Sequence, residues 1–236
     1  MQDHNNVGAF NDKKEEYCRH NFKMILNELA QLHFEPFTKT IYIHYFENKN
    51  GIHSKNIECL AKDLKSVGIP FDKILYDKWH ARPGSIFMVG HYPDHALEKC
   101  DIVFIVGSED LAKNYETKED YWQYNILCKM AYNNTEPNKK ILIPVWFDGE
   151  FEDIFPLCLQ CHRGQSLVDY YDGFFSLLES IYQLDPVDNV VKKIQKRFKH
   201  IMDNTDFYEK YVKDQAELKA KEREEAIKKI DKIFGL

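Results

Sequence analysis

The run Ile102-Val103-Phe104-Ile105-Val106 constrains this chain more than any other stretch, because five consecutive β-branched or aromatic residues with no polar alternation leave neither face for water. A strand of that composition is covered on both sides, the situation of a parallel strand inside an α/β sheet. Its surroundings fit. Ile74-Leu75-Tyr76 leads into Asp77-Lys78-Trp79-His80-Ala81-Arg82-Pro83-Gly84, a helical stretch follows, and Cys100-Asp101 opens the buried run. In such sheets ligands and partners meet the loops at the carboxyl ends of the strands. Here those are the Trp79 to Gly84 loop and a loop from Gly107 to Glu119, and Pro83-Gly84 fixes one φ while freeing the next.

The same alternation extends along the chain. Apolar spacing at Phe22, Ile25, Leu26, Leu29 and Leu32 predicts an amphipathic helix over 11–32. Ile41 to Phe46 reads as a first strand and Ser54, as N-cap, opens a helix that Gly68 stops. A second strand is expected near 73–77, a helix interrupted by Pro93, a third strand at 102–106, and a helix over 119–133. Strand four is Lys140 to Trp146, a short strand follows at 166–169, and a helix runs from Gly173 to Leu184. Strands alternating with helices predict a parallel sheet flanked by helices, with right-handed crossovers. Beyond it, 187–202 and 206–234 are charge-rich helical patterns. The second has interleaved signs over Lys219 to Ala226 and a thin apolar seam at Ile227, Ile230, Ile233 and Phe234, as in a solvated helix and too short for a coiled coil. The organisation expected is a helical extension at 1–38, an α/β domain at 39–184 and a second helical extension at 185–236.

With 236 residues the chain buries a full core. A formal charge of −6 and basic residues scattered among acids exclude a general nucleic-acid binder. The polar start Met1 to Asn6 and the lack of any run of about 18 apolar residues argue against a signal peptide or membrane span, so a cytoplasmic protein is expected. Six dispersed cysteines are too few for a disulfide framework. Cys158-Leu159-Gln160-Cys161-His162 has the spacing of haem attachment and of half a zinc site, yet no export signal is expected and no second Cys/His pair at zinc spacing is seen. Because Asp153 to Pro156 reads as a loop, without the strand and helix start a redox pair wants, these are expected to be incidental reduced thiols, and no metal site is expected.

Taken in order, Thr40-Ile-Tyr-Ile-His-Tyr-Phe46, Asp77-x-Trp79-x-x-x-Pro83-Gly84, Cys100-Asp101 before Ile102 to Ser108, Ile143-Pro144-Val145-Trp146, and Asp172-Gly-Phe-Phe-Ser-Leu-Leu178 resemble a TIR-type domain. The Trp79 to Pro83-Gly84 spacing and the Phe-Phe-x-Leu-Leu helix lean toward the SEFIR branch. The resemblance covers about Lys39 to Leu184 and implies a flavodoxin-like fold that signals by homotypic assembly through the Trp79 to Ser85 loop. The partner is then a second copy or another TIR or SEFIR protein. Many TIR domains also cleave NAD+ as a nucleosidase or cyclase, without a permanently bound cofactor. Bacterial members occur in antiphage defence, and others are secreted into host cells as effectors.

The enzymatic members carry a glutamate on the helix after the third strand, in a pattern like Trp-x-x-Tyr-Glu. Here Tyr121-Trp122-Gln123-Tyr124-Asn125-Ile126 falls in that register, with Tyr121 in the Trp place and Asn125 in the Glu place. A carboxylate stabilises oxocarbenium-like charge, whereas an amide hydrogen-bonds without supplying charge. Losing such a group typically costs about 10² to 10³ in rate. Glu109, Glu116 or Glu119 would have to replace it. Glu119 sits about 120° off the face of Asn125 on an ideal helix, which leaves Glu109 and Glu116 in the polar loop. The resemblance implies nucleotide contacts from Tyr45, Phe46, Trp79, Arg82, Ser108 and Tyr121 around a cleft between the Phe46 and Ser108 strand ends. Four of them also have a plain structural reading, Tyr45, Phe46 and Trp79 as packing residues and Ser108 as a cap, and His44 reads as a core histidine. Two functions follow: an NAD+-cleaving signalling enzyme, or a non-catalytic SEFIR-type adaptor or assembly module. A flavodoxin-like nucleotide or flavin binder is disfavoured because no Gly-rich loop follows the first strand.

Overall fold

Every residue of the Ile102–Val106 run is buried, and the run is the central strand of the sheet. The computed structural model describes residues 5–31, 37–45, 52–80, 91–117, 125, 140–184 and 190–234. Within these, β1 (Ile41–His44), β2 (Ile74–Leu75), β3 (Ile102–Val106), β4 (Ile141–Trp146) and β5 (Gln165–Ser166) form one sheet in the order β2-β1-β3-β4-β5. Every pairing is parallel, with Ile41 opposite Ile102 and Ile102 opposite Ile141. This is the flavodoxin-like order that the resemblance implies, built on the parallel sheet that the alternation predicts.

Ten helices accompany the strands: α1 (Asn5–Gln31), α2 (Ile52–Ser66), α3 (Asp77–His80), α4 (His91–Lys99), α5 (Glu109–Thr117), α6 (Phe151–Ile154), α7 (Leu157–Gln160), α8 (Tyr170–Tyr182), α9 (Val190–Asp203) and α10 (Thr205–Phe234), all among the described residues. On one face of the sheet Tyr42, Val103, Ile105 and Leu142 pack with Ala96, Leu111, Ile154, Phe155 and Leu159. Since strand side chains alternate, Ile102, Phe104 and Val106 serve the opposite layer, which is why the run needs no polar position.

Several local expectations are corrected. Helix α2 starts at Ile52, so Ser54 lies inside it, and its hydroxyl bonds Lys78 Nζ instead of capping. Pro93 falls in the first turn of α4, where a missing N–H costs nothing, and does not interrupt the helix. Residues 109–117 are helical, not loop, because the Ser108 hydroxyl accepts from Leu111 N at 3.1 Å and closes the first turn of α5. Trp79 belongs to the helical turn α3, since the short β2 already ends at Leu75 and α3 begins at Asp77. Around Asp153 to Pro156 the chain forms two helical turns, α6 and α7. Helix α8 begins three residues before Gly173, with Asp169 accepting from Asp172 N. Gly68 does stop α2: its φ of +98° lets Gly68 N bond Lys65 O and Ile69 N bond Leu64 O, a Schellman end.

The chain divides into two compact units, Leu26–Val191 and Met1–Ile25 with Lys192–Leu236. In the second, the Tyr17 ring meets Tyr208 and Tyr211, its hydroxyl donates to Ile201 O at 3.3 Å, and Phe22 packs on Phe198. From Ala216 to Glu225 every position of α10 is exposed, as the interleaved charges require. Among the described residues, no helix is long and apolar enough to cross a membrane.

Candidate functional site

At the carboxyl end of the sheet the chain leaves β1 through Tyr45, β2 through Asp77 and β3 through Gly107 and Ser108. Tyr45 is half-buried, and its hydroxyl donates to Asp77 Oδ1 at 2.7 Å; the same oxygen accepts from Lys78 N at 2.7 Å. The Tyr45 ring lies 5.9 Å from that of Tyr76, which is buried and meets Trp79 edge-on at 5.8 Å. Trp79 in turn stacks on Phe71 at 5.2 Å with the rings only 20° from parallel, and Lys65 Nζ lies 5.5 Å from the Phe71 centroid. His80 completes the group by donating its Nε2–H to Ile74 O at 2.9 Å. Tyr45 and Trp79 are therefore tied to one aromatic ladder that rigidifies the β2 edge, with Phe71, at 43 % exposure, as its solvent-facing end.

Ser108 is buried, and its oxygen is committed to the α5 N-terminus. Glu109 follows it as an exposed residue in the first turn of α5, favourably placed against the helix dipole. Asn125 is helical and half-buried. Glu116 lies in α5, but its side chain is outside the described residues, as are Phe46, Arg82, Glu119 and Tyr121 altogether. The structure thus brings Tyr45 and Trp79 together and sets Ser108 beside Glu109. His44, 3 % exposed, shares a contact of 3.1 Å between its Nδ1 and the Tyr42 hydroxyl, and burial pushes its pKa down to about 4. It is a neutral core residue at neutral pH, not a base open to substrate.

Reasoning from sequence missed three participants. Asp77 anchors Tyr45, and Phe71 carries the stack on Trp79. Phe155 seals the end of β3: a Cβ on Gly107 would come within 2.4 Å of Phe155 Cζ. A glycine directly after a buried strand was the available signal for such a close approach. Gly107→Ala is accordingly expected to cost about 1–3 kcal/mol, because the fully buried Phe155 ring has no free space to enter. A urea midpoint equal to that of the unsubstituted chain would show the contact to be soft.

Among the described residues no group of three His, Cys, Asp or Glu side chains is placed to hold a metal ion. What the described atoms provide is an aromatic edge with hydrogen bonds already made. No family model matches this sequence, and no curated protein matches it. Among solved structures, the crystal structure of a prokaryotic SEFIR domain is similar at 19 % sequence identity, with a TM-score of 0.46, over 64 % of this chain and 97 % of that one.

Proposed function

We propose that the sheet domain is a non-catalytic assembly module of the TIR/SEFIR type, which signals by contact with a second copy of itself or with another domain of the same type. The observation that carries this reading is Asn125, a neutral amide at the place where the resemblance calls for a carboxylate. The nearby polar groups lend further support. Ser108 is spent on a helix cap, Tyr45 on Asp77, and His44 is neutral and removed from solvent. None of these supplies the negative charge that an oxocarbenium-like transition state asks for. The aromatic ladder fixes Trp79, the first residue of the Trp79 to Ser85 segment to which the resemblance assigns self-association.

The test pairs two measurements on the purified chain. Sedimentation velocity across a wide concentration range is expected to show reversible oligomers, which Arg82→Glu and Trp79→Ala weaken; a melting curve for each variant separates lost contact from lost fold. NAD+ incubated with the same samples is expected to persist. Turnover by the unsubstituted chain would overturn the assembly-only reading and point to Glu109 or Glu116. Turnover appearing only in Asn125→Glu, by about 10² or more over background, would instead identify a site disabled at one position.

A further inference from the structure

The Cys158-x-x-Cys161 pair reads differently once its local structure is known. Cys158 sits on α7 and Cys161 is the residue that ends it, with φ −75° and ψ −11°, so the two are one helical turn apart. Residues three apart on a helix have Cα atoms about 5 Å from each other, which lies inside the range a disulfide spans without backbone movement. The Cys161 thiol points back along the turn, donating to Cys158 O with its Sγ 3.2 Å away, while the Cys158 side chain packs against the core cluster of the sheet. Cys161 is exposed and Cys158 half-buried, so a small oxidant reaches one sulfur and the second waits behind it.

We propose that Cys158 and Cys161 form an oxidation site that closes to a disulfide across α7 when the chain meets a hydroperoxide. The Cys161 thiolate attacks the peroxide, forming an S–O bond as the O–O bond breaks and the distal oxygen leaves, after protonation, as an alcohol or, from hydrogen peroxide, as water. The Cys158 thiolate then attacks the resulting sulfenic sulfur, forming the S–S bond as the S–O bond breaks and water leaves. Two thiols are oxidised by two electrons and one hydroperoxide is reduced. The alternative for this motif, a metal ion, is not supported, since no suitable group of ligands assembles among the described residues. Two of the other described thiols are poor competitors. Cys100 is buried, and burial pushes its pKa up to about 11; burial also raises that of Cys18.

The closed pair would bear on the end of β3. Phe155, which packs on Gly107, lies just before α7, and Gln160 fastens the two short helices by donating to Glu152 O at 2.9 Å and Phe155 O at 2.8 Å. A cross-link from Cys158 to Cys161 would therefore stiffen the segment that seals that end of the sheet.

The experiment uses the full reduced chain and hydrogen peroxide, followed by denaturing alkylation and tryptic mass spectrometry. Cys158 and Cys161 fall in one tryptic peptide, Ile141 to Arg163. The expected result is that this peptide loses both alkylation tags and two hydrogens, a change that dithiothreitol reverses, while the Cys100 peptide stays tagged. In Cys158→Ser the expected result is a several-fold rise in sulfinic acid at Cys161, because no second thiol traps the sulfenic acid. Retention of both tags after peroxide would overturn the proposal. So would equal overoxidation of Cys161 with and without Cys158, or a Cys161 cross-link between chains as the main product.

Discussion

Replacing Gly173 with alanine is expected to destabilise the sheet domain by about 2–4 kcal/mol, although the substitution improves helix propensity by about 1 kcal/mol. Gly173 lies in the first turns of α8, buried, and a Cβ there would sit 2.1 Å from Ser166 O, 2.9 Å from Leu167 Cδ2 and 3.1 Å from Leu167 Cα. Two of those neighbours are backbone, which no rotamer change can move. To admit the methyl group, either α8 must rise from the sheet or β5 must separate from β4. The first option disturbs the buried Phe174, Phe175, Leu177, Leu178 and Ile181; the second breaks Leu167 N to Trp146 O, a 2.6 Å bond. In a domain of this size such a loss lowers the melting temperature by roughly 5–15 °C. A melting temperature that rises slightly, as propensity alone would have it, would show that α8 does not lie this close to β5.

That close approach marks where sequence reasoning stops. The strands β1, β3 and β4 were legible because their apolar runs are long enough to exceed any turn signal, and Ile102–Val106 was placed to the residue. The edge strands β2 and β5 have two residues each, too few to show a period: β2 falls inside the expected 73–77, whereas β5 begins one residue before the expected 166 and ends there. Helix α5 was read as loop because its sequence carries only Leu111 and Tyr115 as large apolar residues; the signal that was present, Ser108 followed by Glu109 and Asp110, is a helix start. At the site, the stack of Trp79 on Phe71 and the bond from Tyr45 to Asp77 join residues 8 and 32 positions apart, and no periodic pattern reports a contact of that kind. Gly107 and Gly173 are plain in the sequence, but the neighbours that forbid a side chain there are set by the fold. Asn125 as the counterpart of the family carboxylate rests on the resemblance alone, because 118–124 and 126–139 lie outside the described residues.

His44 turns the same packing into a pH dependence. Its imidazole, the last residue of β1, is buried beside Tyr42, and desolvation pushes its pKa from 6.5 down to about 4. The unfolded chain then binds a proton in the window where the folded chain does not, so stability rises with pH between about 4 and 6.5. Read the other way, the contribution is complete above pH 6.5 and is lost as the pH falls toward 4. At 1.36 kcal/mol per pKa unit, the group alone accounts for about 3 kcal/mol across that window. Carboxylates titrate in its lower part too, so the informative quantity is a difference: denaturant unfolding of the unsubstituted chain and of His44→Phe at matched pH values. The variant is expected to lose some stability at pH 7, because the Tyr42 hydroxyl gives up the imidazole, while its stability falls less steeply below pH 6.5. Parallel curves for the two proteins would mean that water reaches the imidazole in the folded state, and a catalytic role for His44 would then have to be reconsidered. A flatter curve for the variant would instead fix His44 as a neutral core residue and leave the end of β1 to the Tyr45 and Asp77 pair, a structural contact consistent with an assembly surface.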